Sequence, residues 1–335
     1  MSRDTGYDAV RQSAGLLDQT TRGRILARGA DRRSFLQGLL TNDIDALTPG
    51  TGCYAAYLTP QGRLIADMKV QDVGDAILLD VNVELAPALV ARFEELVFSE
   101  DVQFEDVTAR WAHLALHGPD AAEVIVRAFE ADGDRIGPPP VQRLRAMAEF
   151  ENGQWSFAGA AAIVSGSADF ATTGFDIYID ASQGDALRAA LLRAGASAVS
   201  PDAAHVLRVE AGRPLFGVDM DSDTLPLETD LSTRAISFTK GCYVGQEVIV
   251  RVMHRGHGRV AHRLVGLTID GEAPPPPGTA IVAAETRVGE VTSSARSPLV
   301  GSAIALGYVR RDLAEPGTAV SIDGQAAVVT TLPFV

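Results

Sequence analysis

Apolar and polar residues change their period several times along the chain. After Asp31, a residue suited to capping a helix, Phe35, Leu36, Leu39 and Leu40 are spaced for one helical side, and the polar turn Thr41-Asn42-Asp43 follows. Residues 54–58 predict a strand, Thr59-Pro60-Gln61-Gly62 a turn, and 63–70 an alternating partner strand, making a hairpin with Asp67 inside it. A strand over 76–83, a helix over 84–98, and strands over 102–104 and 111–116 come next. Gly118-Pro119-Asp120 opens a helix running to Phe129, with Pro119 suited to an early helical position. Further on, 160–164 and 175–179 predict strands, and 184–194 and 202–211 helices. Strands and helices alternate unevenly, with hairpins between them, which favours mixed α+β sheets over a doubly wound parallel sheet. The last part holds short strands at regular spacing (280–283, 289–293, 303–309, 319–322, 326–330), punctuated by Gly and Pro as in a small all-β barrel.

A length of 335 residues exceeds one ordinary core and points to two or three domains. Two rigid markers, Gly137-Pro138-Pro139-Pro140 and Pro274-Pro275-Pro276-Pro277, punctuate the chain. The expected division is 1–137, 138–258 and 259–335, the first two interleaved in space and the last a barrel. With 46% hydrophobic and 21% charged residues, a globular fold is expected. No apolar run reaches the roughly 20 residues needed to span a bilayer. The first twelve residues carry charges of both signs without an apolar core, against a secretory or transit signal. Two cysteines, Cys53 and Cys242, cannot build a disulfide framework and suit a reducing cytoplasm.

The net charge of −14 argues against non-specific binding to nucleic acid or an anionic membrane. One stretch runs against it. Between Val248 and Ile269 there is no acidic residue, while Arg251, Arg255, Arg259, Arg263, His254, His257 and His262 occur there. Such a cluster is either a solvated face or a site for a small anion or acidic partner.

The densest candidate chemistry lies in Lys240-Gly241-Cys242-Tyr243-Val244-Gly245-Gln246-Glu247, followed by Val248-Ile249-Val250, which reads as a strand. If Lys240 approaches Cys242, its charge favours the thiolate; otherwise the octet is a glycine-rich turn holding an inert cysteine. Asp67 within its strand faces either solvent or a pocket.

The octet resembles the signature of the YgfZ-type folate-binding proteins, in the same superfamily as the aminomethyltransferase (T-protein) of the glycine cleavage system. Supporting likenesses are Phe35-Leu36-Gln37 through Asp43, Gln61-Gly62-Arg63-Leu64-Ile65-Ala66-Asp67, Gly118-Pro119-Asp120-Ala121, and Arg208-Val209-Glu210-Ala211-Gly212-Arg213-Pro214 with Gly217 and Asp219. The resemblance implies an α+β, three-domain cloverleaf around a channel for tetrahydrofolate, with a C-terminal β-barrel. It also implies an accessory role in assembly or repair of iron–sulfur clusters in client proteins. Cys242 would be the functional thiol or a transient cluster ligand, with Lys240 and Asp67 beside it. Folate contacts would come from Asn42, Asp67, Asp176, Arg208, Glu210 and Arg251, the ring pairing with Asp67 or Asp176. Arg208 or the basic cluster would take the glutamate tail, although Arg208 and Glu210 also suit a structural ion pair. In the aminomethyltransferases the hairpin carries two adjacent carboxylates, where this chain has Ala66-Asp67. Their second-domain strand opens Thr-Gly-Glu, where this chain has Thr173-Gly174-Phe175-Asp176. Those departures favour the accessory role over the alternatives, a folate-dependent aminomethyltransferase or a protein-binding adaptor with a vestigial pocket. Asp176 serves a ligand only if its strand register turns it inward.

Overall fold

The computed structural model describes residues 5–130, 140–229, 231–254 and 259–335. Gly137, Pro138, Pro139, Asp230, Arg255 and His257 lie outside them. Two sheets and a barrel carry the architecture. The first sheet has five strands, in the order Gly52–Leu58, Leu64–Asp72, Ile77–Val81, Gly23–Arg28, Gln103–Asp106. The second has six, in the order Ser197–Ala198, Gly15–Asp18, Trp111–His117, Gly174–Asp180, Ala160–Ser167, Asn152–Phe157. It therefore takes strands from both sides of residue 137. The strands His262–Ile269, Ala303–Arg310, Thr286–Arg296, Ala280–Ala283, Ala319–Ile322 and Gln325–Thr330 close into a six-stranded barrel. The expectation of α+β sheets with a C-terminal β-barrel holds.

Period-two alternation explains how the two sheets meet. In Leu64–Asp72, the residues Ala66, Met68 and Val70 enter the core under the helices Arg32–Leu39 and Ala86–Leu96. Ile77, Leu79 and Val81 of the neighbouring strand join the same core. On the second sheet Ala112, Leu114, Leu116, Phe175, Ile177 and Ile179 face the helices Ala121–Glu130 and Ala181–Arg193. The opposite faces of the two sheets pack on each other through Leu26, Leu78, Ile163 and Tyr178. The polar residues alternating with those core positions, including Asp67, Lys69, Asp80, His113 and Asp176, are thereby turned between the sheets.

One predicted strand is a helix. Residues 248–250 fall within Gln246–His254. Gly245, at φ +84°, turns the chain where a Cβ would lie 2.6 Å from the Thr59 carbonyl oxygen. Ile249 and Val252 then reach the core lined by Leu58, Leu64 and Tyr243, at helical spacing, while Val250 and Met253 stay exposed. Packing overrides the strand preference of the β-branched residues here. Among the described residues, no helix is long and apolar enough to cross a membrane.

Candidate functional site

A cavity of about 590 Å³ opens where the inner faces of the sheets meet the helix Pro201–Glu210 and the segment around Arg234. Of the expected site residues, Asp67, Asp176 and Arg208 line it. Asp67 is held by the Tyr54 hydroxyl, which donates to its Oδ2. Burial raises the Asp67 pKa above the ordinary aspartate value, opposed by the Tyr54 bond and the Arg22 charge. The Tyr54 ring lies parallel to Phe150, within 5° at a centroid separation of 6.3 Å, and the Arg234 guanidinium sits 5.1 Å over it. Phe150 adopts φ +67° to present that ring, a setting that costs a non-glycine residue on the order of 1–2 kcal/mol. Glu149 anchors Arg234 at 2.6 Å.

Asp176 does turn inward, but both of its oxygens are occupied. His113 Nε2 lies 2.9 Å from one and Lys69 Nζ 2.6 Å from the other. Burial alone would raise its pKa; Lys69 and His113 overcome that and hold it well below the aspartate range. Lys69 also donates to Asp169 at 2.7 Å. Behind them Asp80 takes the Arg22 guanidinium at 2.5 Å and the Tyr178 hydroxyl at 2.9 Å. Arg208 donates to Asp219 at 2.6 Å and to Ser293 of the barrel at 2.7 Å, so the barrel steadies an arginine of the cavity wall.

The remaining expected site residues serve elsewhere. Cys242 is exposed and is not part of the cavity lining. Lys240 turns its ammonium onto the carbonyl oxygens of Gln37, Leu40 and Asn42, at 2.6, 2.7 and 2.8 Å, capping the C-terminal end of helix Arg32–Leu39. Burial draws its pKa down to about 8. Asn42 donates its amide to the Tyr54 and Arg234 carbonyls. Glu210 is fully buried and accepts from Tyr7, Arg11 and Ser297. Arg251 is exposed and paired with Glu247 one turn away, and none of the described basic-cluster residues lines this cavity. Lys240→Met removes three bonds to carbonyls at the helix end and is expected to cost about 1–3 kcal/mol in urea denaturation. Cys242→Ala is expected to stay within about 0.5 kcal/mol of the parent in the same measurement.

The sequence reading missed Tyr54, Lys69, His113, Phe150, Asp169 and Arg234. A signal existed for two of them. Lys69 shares the alternation of Asp67 against Ala66, Met68 and Val70, and His113 with His117 alternates against Leu114 and Leu116. Polar residues at every second position of strands that are apolar at the others mark an inward polar face when both faces are covered.

Residues 3–240 match the GCVT N-terminal domain, and residues 262–335 match the glycine cleavage T-protein C-terminal barrel domain. An aminomethyltransferase of Rubrobacter xylanophilus is 32% identical over 303 residues, 90% of this chain and 78% of the relative. One of Geobacillus kaustophilus is 32% identical over 337 residues, covering 98% and 89%. The glycine cleavage system aminomethyltransferase T from Bartonella henselae has a similar structure, with TM-score 0.87 and 25% identity, covering 98% of this chain and 88% of that one. Relatives of that name, matched over nearly all of this chain, overturn the expectation of an accessory role in iron–sulfur cluster assembly or repair, which rested on the octet's likeness to the YgfZ-type signature and on the departures at Ala66-Asp67 and Phe175-Asp176. With both parts matched in order, the chain belongs to the glycine cleavage T-protein (GCVT) family.

Proposed function

We propose that the protein is a tetrahydrofolate-dependent aminomethyltransferase, moving a one-carbon unit from an aminomethyl donor to the folate. The observation that supports this most directly is the half-buried Asp67 carboxylate, bonded to Tyr54 and facing a cavity with parallel aromatic rings. The donor set fits a reduced folate. Tyr54, Phe150 and Phe170 offer apolar walls to a flat ring, and Arg22, Arg208, Arg213 and Arg234 offer cations to the glutamate tail. Arg22, Arg208 and Arg234 are each held by a carboxylate of the protein, so their geometry is set before any ligand arrives.

In this reading one folate nitrogen displaces ammonia from the aminomethyl carbon and a second displaces the atom that joined this carbon to its carrier, so that the methylene bridge closes and the two protons lost by the nitrogens leave on ammonia and the carrier. Asp67 accepts the proton released at the folate nitrogen as the new carbon–nitrogen bond forms. Its pKa, raised by burial, makes it a better proton acceptor than an ordinary aspartate. A single carboxylate is enough for that role, so Ala66 is no obstacle; Ala66 points into the helix-side core. The octet around Cys242 keeps its likeness to the YgfZ-type branch at the level of sequence, and in the fold it is the Lys240 clamp.

The test is direct. Purified protein, tetrahydrofolate and an aminomethyl donor are expected to yield methylenetetrahydrofolate and ammonia in equal amounts. Saturable tetrahydrofolate binding with neither product formed would remove the transferase reading and leave only a folate-binding protein.

A further inference from the structure

Asp80 is a fully buried carboxylate that the chemistry assigned to Asp67 leaves unexplained. It stands on the inner face of Ile77–Val81, opposite Lys69 in the ladder, and so lies diagonal to Asp67 at about 7–8 Å across the strand pair. Arg22 reaches it from a turn that the Arg22 N–H closes on the Gln19 carbonyl, just ahead of Gly23–Arg28. The Arg22 Nε donates to the Asp80 carboxylate at 2.5 Å, and Nη2 to the Asp80 backbone carbonyl at 3.4 Å. Two bonds to one residue fix the guanidinium, while the Arg22 side chain, 27% exposed, lines the cavity that Asp67 also lines.

Charge decides what this placement does. Burial opposes the charge on Arg22, Asp80 overcomes that, and Asp67 adds to the effect. For Asp67 in turn, burial raises the pKa, the Tyr54 bond and the Arg22 charge draw it down, and Asp80 adds to the rise. The neighbouring ionisable groups have partners of their own. Lys69 is shared by Asp169 and Asp176, and His113 sits on Asp176 with its other ring nitrogen 3.6 Å from Asp80. Arg234 is on Glu149 and Arg208 on Asp219. Arg24, opposite Asp80 in the ladder, turns to the Thr20 and Thr108 carbonyls, and Asp18 accepts from the Thr20 N–H. The Tyr178 hydroxyl donates to Asp80.

We infer that Arg22 and Asp80 are positioning residues for the proton transfer at Asp67, Asp80 fixing the guanidinium on the cavity wall and the guanidinium favouring the ionised carboxylate that accepts the proton. The inference rests on the transferase reading above and adds the pair that governs its base. Charges held between two sheets are screened less than charges at the surface, so a neighbour at this separation still moves a proton equilibrium. Asp80 holds the arginine before any ligand arrives, so the field at Asp67 needs no rearrangement during the reaction.

The experiment follows the titration of the Asp67 carboxyl carbon by NMR in protein carrying carboxyl-labelled aspartate, the signal being assigned by its loss in Asp67→Asn. Arg22→Gln is expected to raise the midpoint by about one pH unit, and Arg22→Lys, which keeps the charge, to restore most of the parent value. Asp80→Asn keeps the shape and an acceptor for Arg22 but deletes the negative charge, and is expected to lower the midpoint by about half a pH unit. The acid limb of kcat/KM for tetrahydrofolate is expected to move in the same two directions. Unmoved midpoints, or shifts of one sign in Arg22→Gln and Asp80→Asn, would overturn the inference, because lost packing does not produce opposite signs. A raised KM for tetrahydrofolate in Arg22→Gln with the midpoint unmoved would also overturn it, leaving Arg22 to the glutamate tail. Arg22 is partly exposed, so the comparison of its Gln and Lys variants stands by itself if Asp80→Asn does not fold. Unmoved midpoints in a protein that forms methylenetetrahydrofolate would remove the positioning role alone; absence of that product in the parent would remove the transferase reading and the role together.

Discussion

Asp67→Asn is expected to lower kcat for methylenetetrahydrofolate formation by about 10²–10⁴-fold, the usual contribution of a positioned general acid–base, with little change in folate affinity. The asparagine keeps the shape and the bond from Tyr54 but cannot cycle a proton. Stability should move the other way. Burial raises the folded-state pKa of Asp67 above its unfolded value, so the folded protein binds that proton more tightly. The protonated form adds to stability below the unfolded pKa, and this contribution is lost as pH rises through the folded pKa. At neutral pH the ionised carboxylate is a cost, and Asp67→Asn should be as stable as the parent or more so in thermal melts. A variant both inactive and unfolded would not support a catalytic Asp67. Tyr54→Phe refines the point. Tyr54 lowers the Asp67 pKa through its hydrogen bond, so losing it should shift the acid limb of kcat/KM to higher pH. An unmoved acid limb would mean that Asp67 is not the titrating group.

Glu210→Ala is expected to be the most damaging substitution for stability, at about 3–5 kcal/mol in urea denaturation. The carboxylate is fully buried and accepts from the Tyr7 hydroxyl at 2.8 Å, the Arg11 guanidinium at 2.5 Å and the Ser297 hydroxyl at 2.5 Å. Those partners belong to the helix Thr5–Gln12 and the barrel end of the chain, and the Glu210 backbone carbonyl also accepts from Phe334 at 2.9 Å. One side chain thus ties three separate parts of the fold. Burial and the Glu210 carboxylate push the Tyr7 hydroxyl up to about 12, which keeps it a donor at any working pH. Most of the loss in Glu210→Ala comes from leaving the Arg11 charge without its partner. Glu210→Ala with Arg11→Met should therefore recover part of it. Additive losses in that double variant would show that the pair is not coupled.

Five of the six barrel strands, all but His262–Ile269, and most strands of both sheets were legible in order and type, because short alternating runs separated by glycine and proline leave few other readings. Gly23–Arg28 was not. Its second residue, Arg24, is fully buried and donates to the Thr20 and Thr108 carbonyls, so a charge interrupts what would otherwise read as a core strand. The octet misled in the opposite sense. A lysine beside a cysteine in sequence suggested a tuned thiol, yet the ammonium bonds to carbonyls about two hundred residues away in the chain. Local spacing cannot show which of several acceptors a long, flexible side chain reaches.

The sequence by itself determined which residues share a strand face, and so that Asp67 and Lys69 point the same way and Phe175 and Asp176 do not. Only the tertiary structure decided that this polar face meets a second sheet instead of water. A strand's alternation records that its two sides differ, not what covers them; the cover comes from segments distant in sequence, whose packing makes the polar side a cavity with paired charges.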